Sequence, residues 1–188
     1  MRQELKLTIT DFISVNHYLA HRAFMKNKQP QVTCYKTQTA KNFQKKFTEY
    51  VKKQARQQGW ITDLNPFQHY YVDTIYYFPR VDMDTNNYWK VAFDAITDSK
   101  VIWTDDNMAC ERVQGVFYDS ENPRIEYTIY KTDFTGIFEN HEQCDEFITK
   151  CKTCKRYYRN CSLLKNACEG RIQKEIENNI CNKYKEII

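Results

Sequence analysis

Residues 80–112 read RVDMDTNNYWKVAFDAITDSKVIWTDDNMACER, and this stretch decides the fold. It predicts one helix with two acidic residues before it and two after it. Asp82 and Asp84 share one side of an extended segment, because side chains there repeat every two residues. Asp105 and Asp106 follow the helix, directly before the next predicted strand. A helix that returns the chain beside its own start would bring Asp84 and Asp106 within reach of one cation.

Hydrophobic patterns on either side of this stretch predict an α+β fold with a small sheet and two helices. Strands are predicted over residues 4–10, 69–78, 110–118 and 124–130, helices over 37–58 and 87–96, and a polar loop over 14–31. After Thr132 the chain becomes rich in cysteine, and it is predicted to be helical from about Ser162 to its end. We therefore expect two domains, residues 1–132 and a mostly helical tail over residues 133–188.

The charges of the chain are unevenly distributed. Residues 1–80 contain 13 Lys and Arg against 5 Asp and Glu, whereas residues 81–130 contain 4 against 10. Such a division suits a nuclease that neutralises phosphates with one part and gathers metal ions with another. The alternative is that charges segregate by chance among solvated faces. The candidate DNA contacts are Arg22, Lys26, Lys28, Lys41, Lys45, Lys46, Lys52 and Lys53.

The acidic residues of the 80–112 stretch have two interpretations. Mg²⁺ prefers hard oxygen ligands and keeps several waters, so two or three carboxylates suffice to hold it. A bound Mg²⁺ orients a water and polarises a phosphoryl group. Alternatively, paired Asp residues in loops act as turn formers and helix caps.

The same stretch resembles the RusA family of Holliday junction resolvases. The family motif has an Asp-x-Asp-Asn pair, a Lys, a helix close to AAFDAL, and W-x-Asp-Asp before a strand. Asn87, Lys90, the run Ala-Phe-Asp-Ala-Ile at 92–96 and Trp-Thr-Asp-Asp at 103–106 fit it at or near family spacing. The Ser-Val-Asn-His-Tyr segment at 14–18 resembles a family loop. The resemblance covers about residues 4–130 and leaves the cysteine-rich tail outside.

The resemblance implies a RusA-like fold with a small mixed sheet and an Mg²⁺- or Mn²⁺-dependent endodeoxyribonuclease. Such an enzyme resolves four-way DNA junctions by paired phosphodiester hydrolysis, acts in DNA recombination and repair as a homodimer, and is found largely in phages and prophages. It also implies a catalytic role for Lys90 at the scissile phosphate or the leaving oxygen. The alternative for Lys90 is an ion pair with Asp94, four residues later on the helix.

The chain departs from the family pattern at one carboxylate. Anchoring on Lys90 places Asp84 at the first family Asp and Asn86 at the second, where an amide replaces the acid. In the other register, Asp82 and Asp84 form the pair. Either Asp82 compensates, or the protein is a catalytically weak or inactive DNA-binding or regulatory relative. The candidate catalytic set is Asp82, Asp84, Asn86, Lys90 and Asp106, and the candidate Mg²⁺ ligands are Asp84, Asp105 and Asp106.

Six of the eight cysteines follow residue 143. Cys144, Cys151, Cys154 and Cys161 form Cys-x6-Cys-x2-Cys-x6-Cys, and four thiolates suit a structural Zn²⁺. His141 and Cys168 are competing ligands, an iron–sulfur cluster is a less favoured occupant, and buried free cysteines are the simplest alternative.

The first residues lack the long apolar stretch of a signal peptide, and no run of 18 apolar residues occurs. We therefore expect a cytoplasmic protein, in which disulfides are a poor explanation for the cysteines. The family resemblance implies that the cell is bacterial or phage-infected.

Overall fold

The computed structural model describes residues 2–63, 65 and 67–187, which form two compact units. The first unit combines residues 2–63 with residues 71–130. The second unit combines the described part of residues 65–70 with residues 131–187.

A four-stranded sheet forms the centre of the first unit, in the order β1-β6-β4-β5. These strands are β1 (Leu5–Ile9), β4 (Tyr70–Phe78), β5 (Ala109–Tyr118) and β6 (Arg124–Lys131). β1 pairs antiparallel with β6, and Leu7 lies opposite Tyr127. Every second residue of β1 and β4 is buried, which is the pattern expected of strands with one face in a core.

Two helices accompany this sheet, α1 (Gln38–Gln57) and α2 (Trp89–Ser99). The side chain of Thr37 caps α1 by accepting a hydrogen bond from the backbone amide of Ala40 at 3.2 Å. Where the helices pack together, the Thr48 hydroxyl donates to the Ala95 carbonyl at 3.0 Å. α2 begins after the acidic loop that contains Asp82 and Asp84, and it ends before the acidic loop that contains Asp105 and Asp106.

The predicted loop over residues 14–31 is wrong from Leu19 onwards, because the chain forms a hairpin there. Strand β2 (Leu19–Lys26) pairs antiparallel with β3 (Gln29–Lys36). Asn27 and Lys28 both have positive φ, which suits a tight two-residue turn. Almost every residue of the hairpin is exposed, so no buried face imposes the alternation that marks a strand in a sequence.

The second unit contains α3 (His141–Lys152), α4 (Ser162–Cys168) and the two-residue strands β7 (Ile176–Glu177) and β8 (Ile180–Cys181). The prediction of one helix from Ser162 to the end is therefore wrong. Gly170 has φ 80° just after α4, and a left-handed residue at that place commonly ends a helix. The β7–β8 hairpin then occupies part of the predicted helix.

The core of the second unit is small. Its buried members are Phe138, Cys144, Phe147, Ala167 and Cys168. Gly136 lies against this core with φ 59°, and a Cβ there would come within 2.2 Å of the Ala167 carbonyl oxygen. Only glycine fits this approach of loop to helix.

Helices and strands occur in both units, so the predicted α+β class is confirmed. No helix among the described residues combines the length and apolar character that crossing a membrane requires.

Candidate active site

Lys90 links α2 to the acidic loop that follows this helix. From the first turn of α2, its Nζ lies 2.5 Å from Asp106 Oδ2 and 2.9 Å from Asp94 Oδ1. The hydrogen bond with Asp106 is the main reason that the pKa of Lys90 rises above its ordinary value. The helical ion pair with Asp94 is thus present, and the same ammonium also reaches the loop after α2.

Asp94 lies among several donors that fix its position. The Tyr18 hydroxyl donates to Asp94 Oδ2, and Lys36 Nζ lies 3.6 Å from the same oxygen. Burial disfavours the charged form of Asp94, but the hydrogen bonds from Tyr18 and Lys90 outweigh it and lower the pKa of this carboxyl. Asp94 therefore stays ionised and holds Lys90 in place.

Tyr18 and Lys36 are site residues that reasoning from the sequence missed. Tyr18 is 6% exposed, and its backbone carbonyl accepts a hydrogen bond from Thr37, which joins the two ends of the β2–β3 hairpin. The resemblance of the SVNHY segment to a family loop could have indicated Tyr18. Nothing in the sequence indicated Lys36, because its approach to Asp94 depends on the hairpin.

Asp105 and Asp106 begin a short 3-10 helix, Asp106–Met108. The exposed Asp105 side chain accepts a hydrogen bond from the Asn107 amide at 3.0 Å, so Asp105 serves as a cap. The Asp106 side chain is 27% exposed, and the contact with Lys90 uses one of its oxygens, Oδ2.

The loop before α2 leaves its acids exposed to solvent. Asp84 precedes the 3-10 helix Thr85–Asn87, and its side chain makes no capping hydrogen bond. Asp82 forms an ion pair with Arg80 at 3.1 Å, and this pair is so exposed that it contributes little to stability. Asn86 is exposed as well. The structure thus pairs Lys90 with Asp106, whereas Asp82 has a partner within its own loop.

No group of three or more His, Cys, Asp or Glu side chains within the described part of the chain is arranged to hold a metal ion. The predicted Mg²⁺ ligands nevertheless have suitable chemistry. Asp84 and Asp105 are exposed carboxylates, and Asp106 is partly exposed. Hard oxygen donors open to water suit Mg²⁺, which keeps several of its own waters.

The predicted DNA contacts lie on two elements. Arg22, Lys26 and Lys28 are exposed on the hairpin, and Lys41, Lys45, Lys46 and Lys53 are exposed on α1. Lys52 differs, because its Nζ lies 2.9 Å from Glu49 Oε1 and part of its charge is neutralised within the helix.

The four predicted Zn²⁺ ligands separate in the second unit. Cys144 lies in the small core, and its thiol is hydrogen-bonded with that of Cys168. Burial, together with Cys168, raises the pKa of Cys144 to about 12. Cys151, Cys154 and Cys161 instead line one cavity together with Cys181, which the sequence reasoning left out.

The competing ligand His141 does not line this cavity, and its Nδ1 lies 2.7 Å from Thr135 Oγ1.

Comparison with protein families identifies the first unit. The family model of the endodeoxyribonuclease RusA matches residues 16–130. The match includes the hairpin, both acidic loops and Lys90, and it covers more than half of the 188 residues. A search among curated proteins found no match. The chain belongs to the RusA family of endodeoxyribonucleases.

Proposed function

We propose that this protein is an Mg²⁺- or Mn²⁺-dependent endodeoxyribonuclease that resolves four-way DNA junctions. The contact between Lys90 and Asp106 carries this proposal, because it links the first turn of α2, which follows the first acidic loop, to the second acidic loop. Family membership supplies the nuclease class. Metal dependence and junction specificity rest on the chemistry of the acidic loops and on the resemblance.

Asp84, Asp105 and Asp106 would hold the cation, with Asp82 or Asn86 offering a further oxygen. Bound Mg²⁺ supplies an activated water and neutralises charge on the phosphate. The Asp106 carboxylate now faces Lys90, so the site carries its own positive charge before any cation arrives.

Lys90 would act on the scissile phosphate or on the leaving oxygen. A charged ammonium at that place stabilises the negative charge that develops in the transition state. We expect Lys90 to exchange Asp106 for a phosphate oxygen while it keeps its bond to Asp94. Asp94 and Tyr18 would position Lys90 and would not touch the substrate.

DNA binding would rest on the exposed basic residues of the hairpin and of α1. Phosphate contacts give affinity that falls steeply with salt, and junction shape supplies the selectivity. Two nicks placed symmetrically across a junction require two active sites related by a two-fold axis, so we propose a homodimer. The cytoplasm of a bacterial or phage-infected cell would offer such a substrate.

Cleavage of a synthetic four-way junction tests this function. We expect the wild type to cut with Mg²⁺ or Mn²⁺ and Asp106→Asn to bind the junction without cutting it. Asp133→Asn, an exposed acid of the second unit, is the matched control and should cut normally. Tight junction binding by the wild type without metal-dependent cutting would instead identify a catalytically inactive DNA-binding relative, as Asn86 suggests.

A further inference from the structure

We propose that Cys151, Cys154, Cys161 and Cys181 form a structural Zn²⁺ site that stabilises the second unit. This set drops Cys144 from the ligands expected from sequence and adds Cys181. The inference is independent of the nuclease function, because every residue that it uses lies in the second unit.

The four cysteines face one small cavity of about 20 Å³. Its other walls include Phe147, Leu163 and Leu164. A buried water needs two to four polar partners, and these walls offer mainly sulfur and carbon. Four thiolates around one cavity suit tetrahedral Zn²⁺ with Zn–S distances of about 2.3 Å.

The Cys-x2-Cys segment has a turn suited to two ligands. Cys151 lies in the last turn of α3, and the Cys154 amide donates to the Cys151 carbonyl at 2.9 Å. The Lys185 amide donates to Cys154 Sγ at 3.4 Å. An amide hydrogen bond to sulfur stabilises a thiolate and orients it as a ligand.

The surroundings of the cavity suit a negatively charged centre. Four thiolates and one Zn²⁺ leave net negative charge. Arg156 and Lys183 also line the cavity, and their positive charges would offset it.

The other two cysteines of the unit have a different role. Cys144 and Cys168 are hydrogen-bonded to each other and buried among Phe138, Phe147 and Ala167. They contribute to the apolar core, as small buried cysteines commonly do.

The second unit has a physical need for a metal. Its core has few buried residues, and its strands have two residues each. Units of this size commonly depend on a metal or disulfides for stability. Among the described residues, the thiols that line the cavity are not at ligand spacing, so binding requires the four sulfur atoms to move closer together. Coordination would then join α3, the segment before α4, and β8.

Metal analysis of the full-length protein, purified anaerobically with Zn²⁺ present, tests the proposal. We expect about one zinc per chain in the wild type and in Cys144→Ser, and loss of zinc in Cys181→Ser. Cys181→His, which keeps a ligand, should restore binding. Replacing zinc by Co²⁺ should give the absorption of a tetrahedral thiolate centre.

Alkylation of the wild type gives a second measurement, which does not depend on whether a variant folds. Zinc should protect Cys151, Cys154, Cys161 and Cys181, whereas the exposed Cys34 should react with or without it. Four results would overturn the proposal: no stoichiometric metal, bound iron with sulfide, disulfides among the four, or zinc retained by Cys181→Ser but lost by Cys144→Ser.

Discussion

The two units each gather side chains that repel one another when ionised, but they differ in the counter-ion. In the first unit the carboxylates of Asp94 and Asp106 share the ammonium of Lys90, which the chain itself supplies. In the second unit, four thiols line a cavity, and bringing their thiolates together requires a cation from outside. The first unit can therefore fold before it binds metal, whereas the Zn²⁺ site that we propose would make folding of the second unit depend on metal.

Removal of zinc should give the largest difference in amide protection between the two units. Structural Zn²⁺ contributes roughly 10–16 kcal/mol in small zinc-binding peptides, which exceeds the stability of most units of this size. We expect a thiophilic chelator to abolish amide protection in α3 and α4 and to leave β4 and β6 protected. Hydrogen exchange followed by mass spectrometry measures both units in one sample.

The matched control is the same chelator already saturated with zinc, which should change nothing. Equal loss of protection in both units, or in neither, would show that they do not differ in this way.

Loss of the Lys90 ammonium should lower the rate of cleavage more than it lowers the stability of the fold. Lys90→Ala removes the ammonium that we propose to act on the scissile phosphate, so junction cleavage should fall by roughly a hundredfold or more. Thermal stability should change little, because the Lys90 side chain is 43% exposed. Single-turnover cleavage and a melting curve measure the two effects. Lys174→Ala, an exposed lysine of the second unit, should leave both unchanged.

Tyr18→Phe should alter the pH dependence of the first unit. The Tyr18 hydrogen bond helps to lower the pKa of Asp94 in the folded state. The stability that ionised Asp94 contributes is therefore present above its unfolded pKa of about 4 and lost as the pH falls through the lower folded pKa. Without the hydroxyl the folded pKa rises, so Tyr18→Phe should be less stable by about 1 kcal/mol at neutral pH.

Urea unfolding between pH 2 and pH 7 measures this effect, and the difference between wild type and variant should shrink towards the acid end. Tyr158→Phe, at an exposed tyrosine of the second unit, is the control. A constant difference at every pH would show that Tyr18 acts through packing alone.

The smallest effect should distinguish an exposed lysine of α1 from a lysine of α1 that forms a close ion pair. Lys45→Ala removes an exposed charge and should lower the salt dependence of junction binding by about one phosphate contact. Lys52→Ala should change it less, because Glu49 already pairs with Lys52. Binding titrations at several salt concentrations compare the two slopes. If both variants keep the slope of the wild type, α1 is not part of the DNA surface.

The sequence predicted elements wherever a buried face imposed a period. β4 alternates buried and half-buried residues, and α1 buries Phe43, Phe47 and Val51 on one side, so both were predicted within a few residues. The β2–β3 hairpin was not predicted, because both of its faces are exposed. α3 and β8 were not predicted, because elements around a small core bury few residues and show little hydrophobic pattern.

The contacts of the candidate site were predictable where the interacting residues lie close in sequence. The Lys90–Asp94 pair follows from helical spacing alone. Cys181 lies 20 residues beyond Cys161, and only the turn of the β7–β8 hairpin returns it to the cavity. Spacing therefore could not show that Cys181, and not Cys144, lines the cavity with the cysteines of the Cys-x2-Cys segment.

The exposed β2–β3 hairpin also has a kinetic consequence. A two-stranded ribbon with little burial is only marginally stable, so its tip should open far more often than the sheet. Its base is held by the Thr37–Tyr18 backbone bond and by the hydroxyl of Tyr18 on Asp94. Brief trypsin digestion should thus cut first at Lys26 or Lys28, while the base stays closed. Opening of the tip would then let the proposed DNA contacts Lys26 and Lys28 move without disturbing the position of Lys90.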